Sequence, residues 1–460
     1  MLATLPDIQS FVRQQRNYFD TGATQSLAFR QQQLQKLRSL VLEHRSEIEA
    51  ALKADLNKPQ FEAAMYEIYP VLQELDYFLK HLKKWLKPQR VKPNLLVFPS
   101  IAEIYPDPLG VVLILCPWNY PFALTLMPLI GAIAAGNCVV IKPSEQSPQT
   151  SQVIAKILNQ HFAPELIRVV EGGIEESQAL LAEKFDHIFF TGGTRIGQLV
   201  MSAAAKQLTP VTLELGGKSP CIIEPNVDIT ETARRIVWGK FLNAGQTCIA
   251  PDYLLVQEAI LEPLISALKT QIQVFYGENP ALSPDYCRIV NAAQFHRLTQ
   301  LLADGEVLYG GDYQEGDRYF APTLMHRVNL QSPLMQEEIF GPILPILSYQ
   351  TLEEAIAFVN QRPKPLALYF FSNNLDHQEA ILQKTSSGGV CINDVILQVG
   401  VTDLPFGGVG DSGMGRYHGK TSFDTFCHYK SVLRKFFWLE LALRYPPYIQ
   451  KLSLIKWFVK

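Results

Sequence analysis

One cysteine of this 460-residue chain stands in a setting suited to covalent chemistry. Cys248 lies in Phe241-Leu-Asn-Ala-Gly-Gln-Thr-Cys-Ile-Ala250, a short polar turn with a glycine that follows an amphipathic segment. The thiolate is the reactive form of cysteine, and an unperturbed pKa of about 8.5 leaves only a few per cent ionised at neutral pH, so a nucleophilic cysteine needs local activation. Backbone N–H groups of the turn can supply part of it. The alternative interpretation is a small buried hydrophobe, which is what most intracellular cysteines are.

Two further polar side chains follow segments with the pattern of strands. In Val211-Thr-Leu-Glu-Leu-Gly-Gly-Lys218, Glu214 stands at a strand end beside paired glycines, which let other groups approach closely. Partial burial raises the pKa of a glutamate, which suits a general base that takes a proton from water. A strand-end ion pair is the alternative. In Trp118-Asn-Tyr-Pro121, the Asn119 amide follows a buried strand, and taken alone it indicates only a turn.

A third segment predicts an anion site. Ile188-Phe-Phe-Thr-Gly-Gly-Thr-Arg-Ile-Gly197 leads from apolar strand residues into a glycine and threonine turn that opens a helix. Free N–H groups and the positive end of the helix dipole bind anions at such a turn. The alternative is a plain strand–helix turn.

Two other glycine patterns do not predict a phosphate site. Gly408-Val-Gly-Asp-Ser-Gly413 has the spacing G-x-G-x-x-G, but it follows Pro405 in a glycine-rich loop far from a strand–helix unit, and we interpret it as a turn. Gly217-Lys-Ser219 resembles the end of a P-loop, yet Thr212 occupies the place of the first glycine.

The scaffold is predicted by an alternation of strand and helix patterns, which is typical of doubly wound parallel sheets. The first series runs through Val111–Leu115, Pro121–Ala135, Cys138–Ile141, Pro148–Phe162, Ile167–Val170, Glu175–Ala182, His187–Phe190 and Arg195–Lys206. A second runs from about Val211 to Val399, with strands near Cys221–Ile223, Tyr253–Val256, Leu344–Leu347 and Ala367–Phe371. Upstream, helical spacing predicts surface helices over 26–57 and 60–86, and 88–108 has the pattern of an extended, proline-punctuated hairpin.

Composition predicts a globular chain of two or three domains. Apolar residues make up 47%, charged residues 18% and the formal net charge is -3, which indicates neither disorder nor bulk attraction to nucleic acid. Seven cysteines, without a C-x-x-C pair or histidines at zinc spacing, predict a reducing cytoplasm and no metal. No secretory signal is visible. Residues 109–141 carry no charge, but Cys116-Pro-Trp-Asn-Tyr-Pro121 divides the run, which favours a buried strand, loop and helix over a membrane span.

These motifs together resemble the NAD(P)-dependent aldehyde dehydrogenases. Asn-Ala-Gly-Gln-Thr-Cys248 is similar to the family's active-site loop, and five further matches follow in chain order from about residue 100 to 430. The resemblance implies that Cys248 is the nucleophile, that Asn119 and the N–H of Cys248 form an oxyanion hole, and that Glu214 is the base. Cofactor binding is implied for Trp118, Lys142, Ser144, Glu145, Thr191, Gly192, Gly193, Thr194, Gly197, Leu215, Glu338 and Phe340.

Within that resemblance the segments have separate roles. Ile141-Lys-Pro-Ser-Glu145 resembles the adenosine-ribose site, where Lys142 and Glu145 bind hydroxyls; alone they would be a solvated loop pair. Glu337-Glu-Ile-Phe-Gly-Pro342 resembles the segment whose glutamate, here Glu338, holds the nicotinamide ribose and whose aromatic, Phe340, packs beside the ring. The loop from Pro405 to Gly419 is similar to the one that leads into an intersubunit strand.

The resemblance also implies an architecture and an activity. The fold class is α/β, with two doubly wound domains and a small β oligomerisation element. We expect a dinucleotide-binding domain at 1–87 and 109–210, a catalytic domain at 211–403, the oligomerisation element at 88–108 and 404–433, and a basic, apolar tail at 434–460. The activity is oxidation of an apolar aldehyde to the acid with NAD and/or NADP. A CoA-acylating dehydrogenase and a cysteine hydrolase are the alternatives.

The chain's ends favour one branch of the family. The short N-terminal region and Arg444-Tyr-Pro-Pro-Tyr448 resemble the class 3, or fatty-aldehyde, branch, which implies a homodimer. The tail carries six Lys or Arg residues against Glu440 alone from residue 431 onward, and Tyr448, Leu452, Ile455 and Val459 share a helical face, away from Lys456 and Lys460 and with Trp457 near the end. This pattern predicts weak association with an anionic membrane surface. Packing of the tail on a dimer partner is the alternative.

Overall fold

A computed structural model describes residues 5–94, 97–440 and 442–453. The strands, in chain order, are β1 (Gln89–Val91), β2 (Ser100–Pro108), β3 (Val111–Leu115), β4 (Cys138–Lys142), β5 (Ile167–Val169), β6 (His187–Thr191), β7 (Val211–Glu214), β8 (Pro220–Ile223), β9 (Tyr253–Gln257), β10 (Glu306–Tyr309), β11 (Tyr313–Gln314), β12 (Tyr319–Phe320), β13 (Thr323–His326), β14 (Ile343–Tyr349), β15 (Ala367–Phe371), β16 (Gly389–Ile392), β17 (Gly413–Met414) and β18 (Cys427–Lys435). Most of them belong to two large sheets, of six and seven strands.

The six-stranded sheet has the order β17-β7-β6-β3-β4-β5 and is parallel except for β17. Its central strands are continuous apolar runs buried on both faces, as expected where helices cover a parallel sheet. The covering helices are Ala123–Ala135, Pro148–His161, Ile174–Ala182 and Thr194–Ala205. The predicted elements of this half therefore lie within two residues of the observed bounds.

The seven-stranded sheet has the order β10-β13-β14-β9-β8-β15-β16, with only β10 antiparallel. The four predicted strands correspond to β8, β9, β14 and β15. The strands β10, β13 and β16 were not predicted: β10 is a partly exposed edge, and β16 opens on a glycine. The longer helices here are Ile229–Phe241, Leu261–Tyr276, Ala292–Leu301, Leu352–Asn360 and Leu375–Lys384.

The N-terminal helices cover the first sheet and are only partly surface helices. They span Leu5–Asp20, which was not predicted, and then Leu27–Glu43, Arg45–Leu56, Gln60–Ala63 and Tyr69–Trp85, with a π-helical turn at Ala64–Ile68. Their apolar faces are buried in the core, as the helical spacing requires. Several charged side chains of these helices and of the link between them are also buried, namely Arg30, Asp55, Lys58, Glu62, Glu67 and Glu74, which contradicts the expectation of surface helices.

The predicted hairpin forms a third sheet with the end of the chain. In the order β1-β2-β18, all neighbours are antiparallel, and β18 pairs with β2 from Cys427 opposite Pro108 to Lys435 opposite Ser100. The glycine-rich loop is not wholly a turn, because β17 at its end joins the first sheet beside β7.

The uncharged run 109–141 folds inside the protein. It forms β3, a loop, the helix Ala123–Ala135 and most of β4, as the sequence predicted. Across the described ranges, no helix has both the length and the apolar character needed to cross a bilayer.

Candidate active site

A cleft of about 1640 Å³ brings the predicted site residues together. Cys248 and Asn119 line it, and so does Glu214. The predicted cofactor-binding residues that also line it are Trp118, Lys142, Ser144, Glu145, Thr191, Gly192, Gly193, Thr194, Leu215, Glu338 and Phe340. Gly197 lies behind the wall, where a Cβ atom would meet Leu215 Cδ2 at 2.6 Å.

The loop that carries Cys248 has an unusual backbone. After the helix Ile229–Phe241, three successive residues have positive φ angles: Asn243 (52°), Ala244 (53°) and Gly245 (74°). Left-handed conformations of non-glycine residues cost of order 1–3 kcal/mol each and persist only where the surroundings fix them. At Gly245 the constraint is steric as well, because a Cβ atom there would meet Gly341 O at 2.3 Å.

Hydrogen bonds to the loop after β3 hold this backbone. The Asn119 Nδ2 group donates to Gln246 O at 3.1 Å, and Asn243 Nδ2 donates to Asn119 O at 2.9 Å. The Tyr120 hydroxyl contacts Thr247 Oγ1 at 2.9 Å. All of these side chains are buried. The nucleophile candidate and the oxyanion candidate are therefore fixed relative to each other, although they follow strands of different sheets.

The side chain of Gln246 secures the other side of the loop. Its Nε2 donates to Asn243 O and to Arg288 O, each at 3.0 Å, and its Oε1 accepts from Val290 N at 3.0 Å. A buried amide with all of these contacts satisfied is rigid and position-specific.

The thiol of Cys248 is partly exposed to the cleft. Burial, and to a smaller degree the nearby carboxylates of Glu338 and Glu214, raise its pKa. The N–H groups of Cys248 and Ile249 lower the pKa, as expected of the turn, but they do not offset the burial. The free site therefore holds a thiol rather than an activated thiolate.

Glu214 is more deeply buried than the sequence suggested. It is 2% exposed, and neither carboxylate oxygen has a hydrogen-bond partner among the residues that the structure describes. Burial raises its pKa well above the usual range. The alternative of a strand-end ion pair is thus wrong for the described structure, and burial favours the uncharged form of the carboxyl group.

The cofactor half of the cleft begins at the ends of β4 and β6. Buried Lys142 pairs with the half-exposed carboxylate of Glu145 at 2.6 Å, so the two are a bonded pair rather than independently solvated. After β6, Gly192 N donates to Glu214 O at 3.0 Å, and the helix Thr194–Ala205 begins directly afterwards. At Gly193 nothing lies within 4 Å of a Cβ position. That open space over a helix N-terminus fits a dinucleotide phosphate.

Glu338 and Phe340 close the cleft beside Trp118. Phe340 has a φ of 47°, and its ring meets the Trp118 ring edge-on, with 5.2 Å between centroids. Glu338 lies so close to Gly216 that a Cβ atom there would be 1.9 Å from its Oε2. Burial and, to a smaller degree, the negative charge of Asp252 raise the Glu338 pKa to about 8. The residues present therefore fit a nicotinamide dinucleotide.

Sequence reasoning missed the charged residues beneath this site. Lys58 donates to Glu67 Oε1 at 2.6 Å and to Asn119 O at 3.1 Å, and Glu67 Oε2 accepts from Phe122 N and Ala123 N at 3.1 and 2.9 Å. The signal was available, because Glu67 and Glu74 fall on the same helical face as Val71 and other apolar residues. An acid on a buried face requires a partner there.

The glycine-rich loop was also misjudged. Leu215 N donates to Ser412 O at 3.1 Å, and β17 pairs Gly413 with Glu214. A side chain at Gly413 would meet Leu213 O at 2.4 Å. The loop therefore fixes the backbone that carries Glu214.

The sequence and the fold match known proteins over nearly the whole chain. The model of the aldehyde dehydrogenase family matches residues 1–432. Aldehyde dehydrogenase family 3 member A2 of Pongo abelii is 50% identical over 448 residues, 97% of this chain and 92% of that protein. The 4,4'-diaponeurosporen-aldehyde dehydrogenase of Staphylococcus aureus (strain NCTC 8325 / PS 47) is 49% identical over 445 residues, 96% and 97% of the two chains. The substrate-bound structure of Staphylococcus aureus AldH superposes with a TM-score of 0.96 at 48% identity, covering 98% and 99%.

The residues of the cleft and the related proteins point to the same kind of enzyme. A cysteine, a buried glutamate and an asparagine share one cleft with residues that fit a nicotinamide dinucleotide. The chain belongs to the aldehyde dehydrogenase family, and it is an NAD(P)-dependent aldehyde dehydrogenase.

Proposed function

We propose that Cys248 is the nucleophile, that the Asn119 amide and the Cys248 N–H hold the oxyanion, and that Glu214 activates water. The observation that carries this assignment is the hydrogen bond from Asn119 Nδ2 to Gln246 O, two residues before Cys248. This contact supports an N–H donor close to the thiol, because the Asn119 amide nitrogen carries a second N–H that an oxyanion can use. One such donor contributes about 2.7–4 kcal/mol to the stabilisation of a tetrahedral adduct.

Cys248 and Glu214 act in successive steps of the proposed reaction. The Cys248 thiol releases its proton to solvent as its sulfur forms a bond to the aldehyde carbon, and the carbonyl electron pair moves to the oxygen, which the two N–H groups hold. Glu338, Trp118 and Phe340 would hold a nicotinamide cofactor, whose chemistry would be to accept a hydride, and the Cys248 adduct that loses this hydride becomes a thioester. Glu214 then takes a proton from water as the water attacks the thioester, and the acid leaves as the thiol is restored.

The residues that would hold the cofactor line the same cleft. We propose that the Thr191–Thr194 turn holds the phosphates, with Gly197 allowing the helix to pack on Leu215. Lys142, Ser144 and Glu145 hold the adenosine ribose, and Glu338, Trp118 and Phe340 hold and flank the nicotinamide end.

Neither alternative function gains support from the cleft. A cysteine hydrolase needs a histidine partner, and no histidine is found among the described residues that line the cleft. Buried Glu214 beside the nucleophile favours hydrolysis of the thioester over its release to CoA.

We propose that the aldehyde is apolar. One relative is named for the aldehyde of a diaponeurosporene. In this chain the apolar side chains of Phe61, Met65 and Tyr69 stand exposed on the helical segment whose Tyr66 packs against Trp238. Trp238 belongs to the helix that leads into the nucleophile loop. An apolar chain can therefore pack along this surface as its carbonyl group approaches Cys248.

We propose that the chain divides as its sequence indicated, into a dinucleotide-binding domain (1–87 and 109–210), a catalytic domain (211–403) and an oligomerisation element (88–108 and 404–433). Two separate hydrophobic clusters support the first two units, although residues 211–215, which include β7, and residues 417–427 pack with the first unit. A homodimer is supported by β18, a nine-residue edge strand that offers unpaired backbone groups. Sedimentation equilibrium tests the dimer.

Seven free cysteines support a reducing compartment such as the cytoplasm.

We propose weak binding of the tail 434–460 to an anionic membrane surface. Residues 454–460, with Ile455, Lys456, Trp457, Val459 and Lys460, lie outside the described residues. In the described part, the side chains of Phe437, Trp438, Tyr448, Ile449 and Leu452 are exposed close to Arg444 and Lys451 in sequence, which is the composition that an interfacial segment needs.

The first prediction separates the nucleophile from the base. Cys248→Ala should abolish aldehyde oxidation. Glu214→Gln should still form the thioester but hydrolyse it about 100-fold more slowly, because general base catalysis contributes roughly 10²–10⁴-fold. Mass spectrometry of the protein after mixing with aldehyde and NAD measures the trapped acyl group.

The pH dependence provides the control for that experiment. Burial raises the Glu214 pKa, and only the ionised group accepts a proton, so thioester hydrolysis by the native chain should accelerate as pH rises. The Gln variant should lack this acceleration. Normal turnover by Glu214→Gln, with no acyl-enzyme, would show that another group is the base.

The second prediction concerns the choice of cofactor. Glu145 accepts from Lys142, and its remaining carboxylate oxygen can bind a free 2′-hydroxyl while it repels a 2′-phosphate. NAD should therefore be used at least as well as NADP. Glu145→Gln removes the repulsion and should raise kcat/KM for NADP about tenfold, with NAD changed less than about threefold. Initial rates with each cofactor measure this, and a strong NADP preference of the native chain would mean that Glu145 points away.

The third prediction compares the full chain with one that ends at Tyr445. The full chain should co-sediment with vesicles containing anionic lipid. Salt at roughly 0.5 M should release it, because salt screens the attraction between the basic tail and the lipid. The shortened chain should not bind, should keep its rate with a short soluble aldehyde, and should lose rate with a long-chain aldehyde dissolved in the vesicles. Equal binding by both chains would contradict the proposal.

A further inference from the structure

A buried acid that the proposed mechanism does not use lies beneath the nucleophile loop. Glu62, 8% exposed, follows the start of the short helix Gln60–Ala63. Its Oε2 accepts a hydrogen bond from Asn243 N at 3.2 Å and a weaker one from the Cys287 thiol at 3.5 Å. Glu62 is therefore the side chain that receives the backbone N–H of the first left-handed residue of that loop.

Asn243 connects this acid to the reacting groups. Its φ of 52° begins the left-handed run, and its Nδ2 donates to Asn119 O and to Gln246 O at 2.9 and 3.1 Å. A side chain with two such partners is correctly aimed only while the backbone of Asn243 keeps its orientation. The contact from Glu62 to Asn243 N constrains that orientation directly.

The charged groups around Glu62 leave its carboxylate free to accept the hydrogen bond from Asn243 N. Lys58 is the nearby cation, but its ammonium group already pairs with Glu67 at 2.6 Å. Glu62 is thus the second acid beside one lysine, and burial raises its pKa to about 7. A glutamine at this position keeps the oxygen acceptor and resembles the protonated acid, whereas a leucine leaves the Asn243 N–H unsatisfied inside the protein.

We infer that Glu62 is a positioning residue for the aldehyde dehydrogenase reaction. It anchors the backbone of Asn243 and so keeps Cys248 and Asn119 at fixed positions relative to each other. This inference rests on the proposed roles of those two residues. Glu62 is not among the residues that line the cleft. Its loss loosens the left-handed turn and withdraws the N–H groups of Cys248 and Ile249 from the thiol, which lowers the reactivity of the thiol.

The experiment compares Glu62→Leu with Glu62→Gln in the full chain. The readouts are kcat, KM for the aldehyde and for NAD, and the rate at which iodoacetamide alkylates Cys248, followed by mass spectrometry of its peptide. Glu62→Leu should lower kcat and the alkylation rate about tenfold, the effect of one lost buried acceptor, with KM for NAD unchanged. Glu62→Gln should restore both to within about threefold.

Glu74 supplies a matched control. It is 2% exposed, accepts the backbone N–H of Gly419 at 2.7 Å, and has a pKa that burial raises to about 7. Glu74→Leu should lower the melting temperature about as much as Glu62→Leu does, yet leave the alkylation rate of Cys248 unchanged. If Glu62→Leu does not fold, Glu62→Asp makes the same test, since it keeps the charge but withdraws the acceptor by one methylene.

Three outcomes would overturn the inference: alkylation and kcat at the native level in Glu62→Leu or Glu62→Asp, failure of Glu62→Gln to restore them, or equal slowing by Glu74→Leu. Failure of the proposed catalytic roles has a different signature. Aldehyde oxidation that survives Cys248→Ala would remove those roles, whatever the Glu62 variants do.

Discussion

The hydrogen bonds between the loop after β3 and the loop of Cys248 are the interaction on which the site depends. Each loop carries one proposed reacting group; Asn119 follows β3 of the six-stranded sheet, and Cys248 lies between the helix Ile229–Phe241 and β9 of the seven-stranded sheet. Asn119 Nδ2 donates to Gln246 O at 3.1 Å, and Asn243 Nδ2 donates in the opposite direction, to Asn119 O, at 2.9 Å. Together with the contacts of the Gln246 side chain and of Glu62, these bonds hold three consecutive left-handed residues in a conformation that is costly by itself. The strain of the nucleophile loop is therefore compensated by the same contacts that create the oxyanion site.

A second constraint is electrostatic. Cys248 shares one cleft with the carboxyl groups of Glu214 and Glu338, and burial raises the pKa of all three. Burial in the cleft therefore favours the uncharged form of each of these three groups. The site becomes reactive when a proton leaves the thiol, and the N–H donors of the turn then stabilise the negative charge. Beneath the cleft, Lys58 is neutralised by Glu67, so the supporting layer also carries little net charge.

The parts of the fold that the sequence predicted are those with a strong local signal. The apolar runs that became β3 and β4 are buried on both faces, and the Cys248 and Glu214 motifs are recognisable from their own residues. The polar interior was not predictable in the same way. Whether Glu62 faces solvent or Asn243 depends on contacts between residues 181 apart in the chain, which periodicity does not encode. For the same reason β17 was read as a turn, since a two-residue strand exists only because β7 lies beside it.

The most direct test of the central claim is a crystal structure of the Glu214→Gln protein after reaction with an aldehyde and NAD. We expect a thioester on Cys248, with its carbonyl oxygen about 2.7–3.1 Å from both Asn119 Nδ2 and the Cys248 backbone nitrogen. The hydrogen bond from Asn119 to Gln246 O should remain in place. An acyl group on Cys116, the other cysteine that lines the cleft, or a thioester oxygen directed away from Asn119, would contradict the assignment.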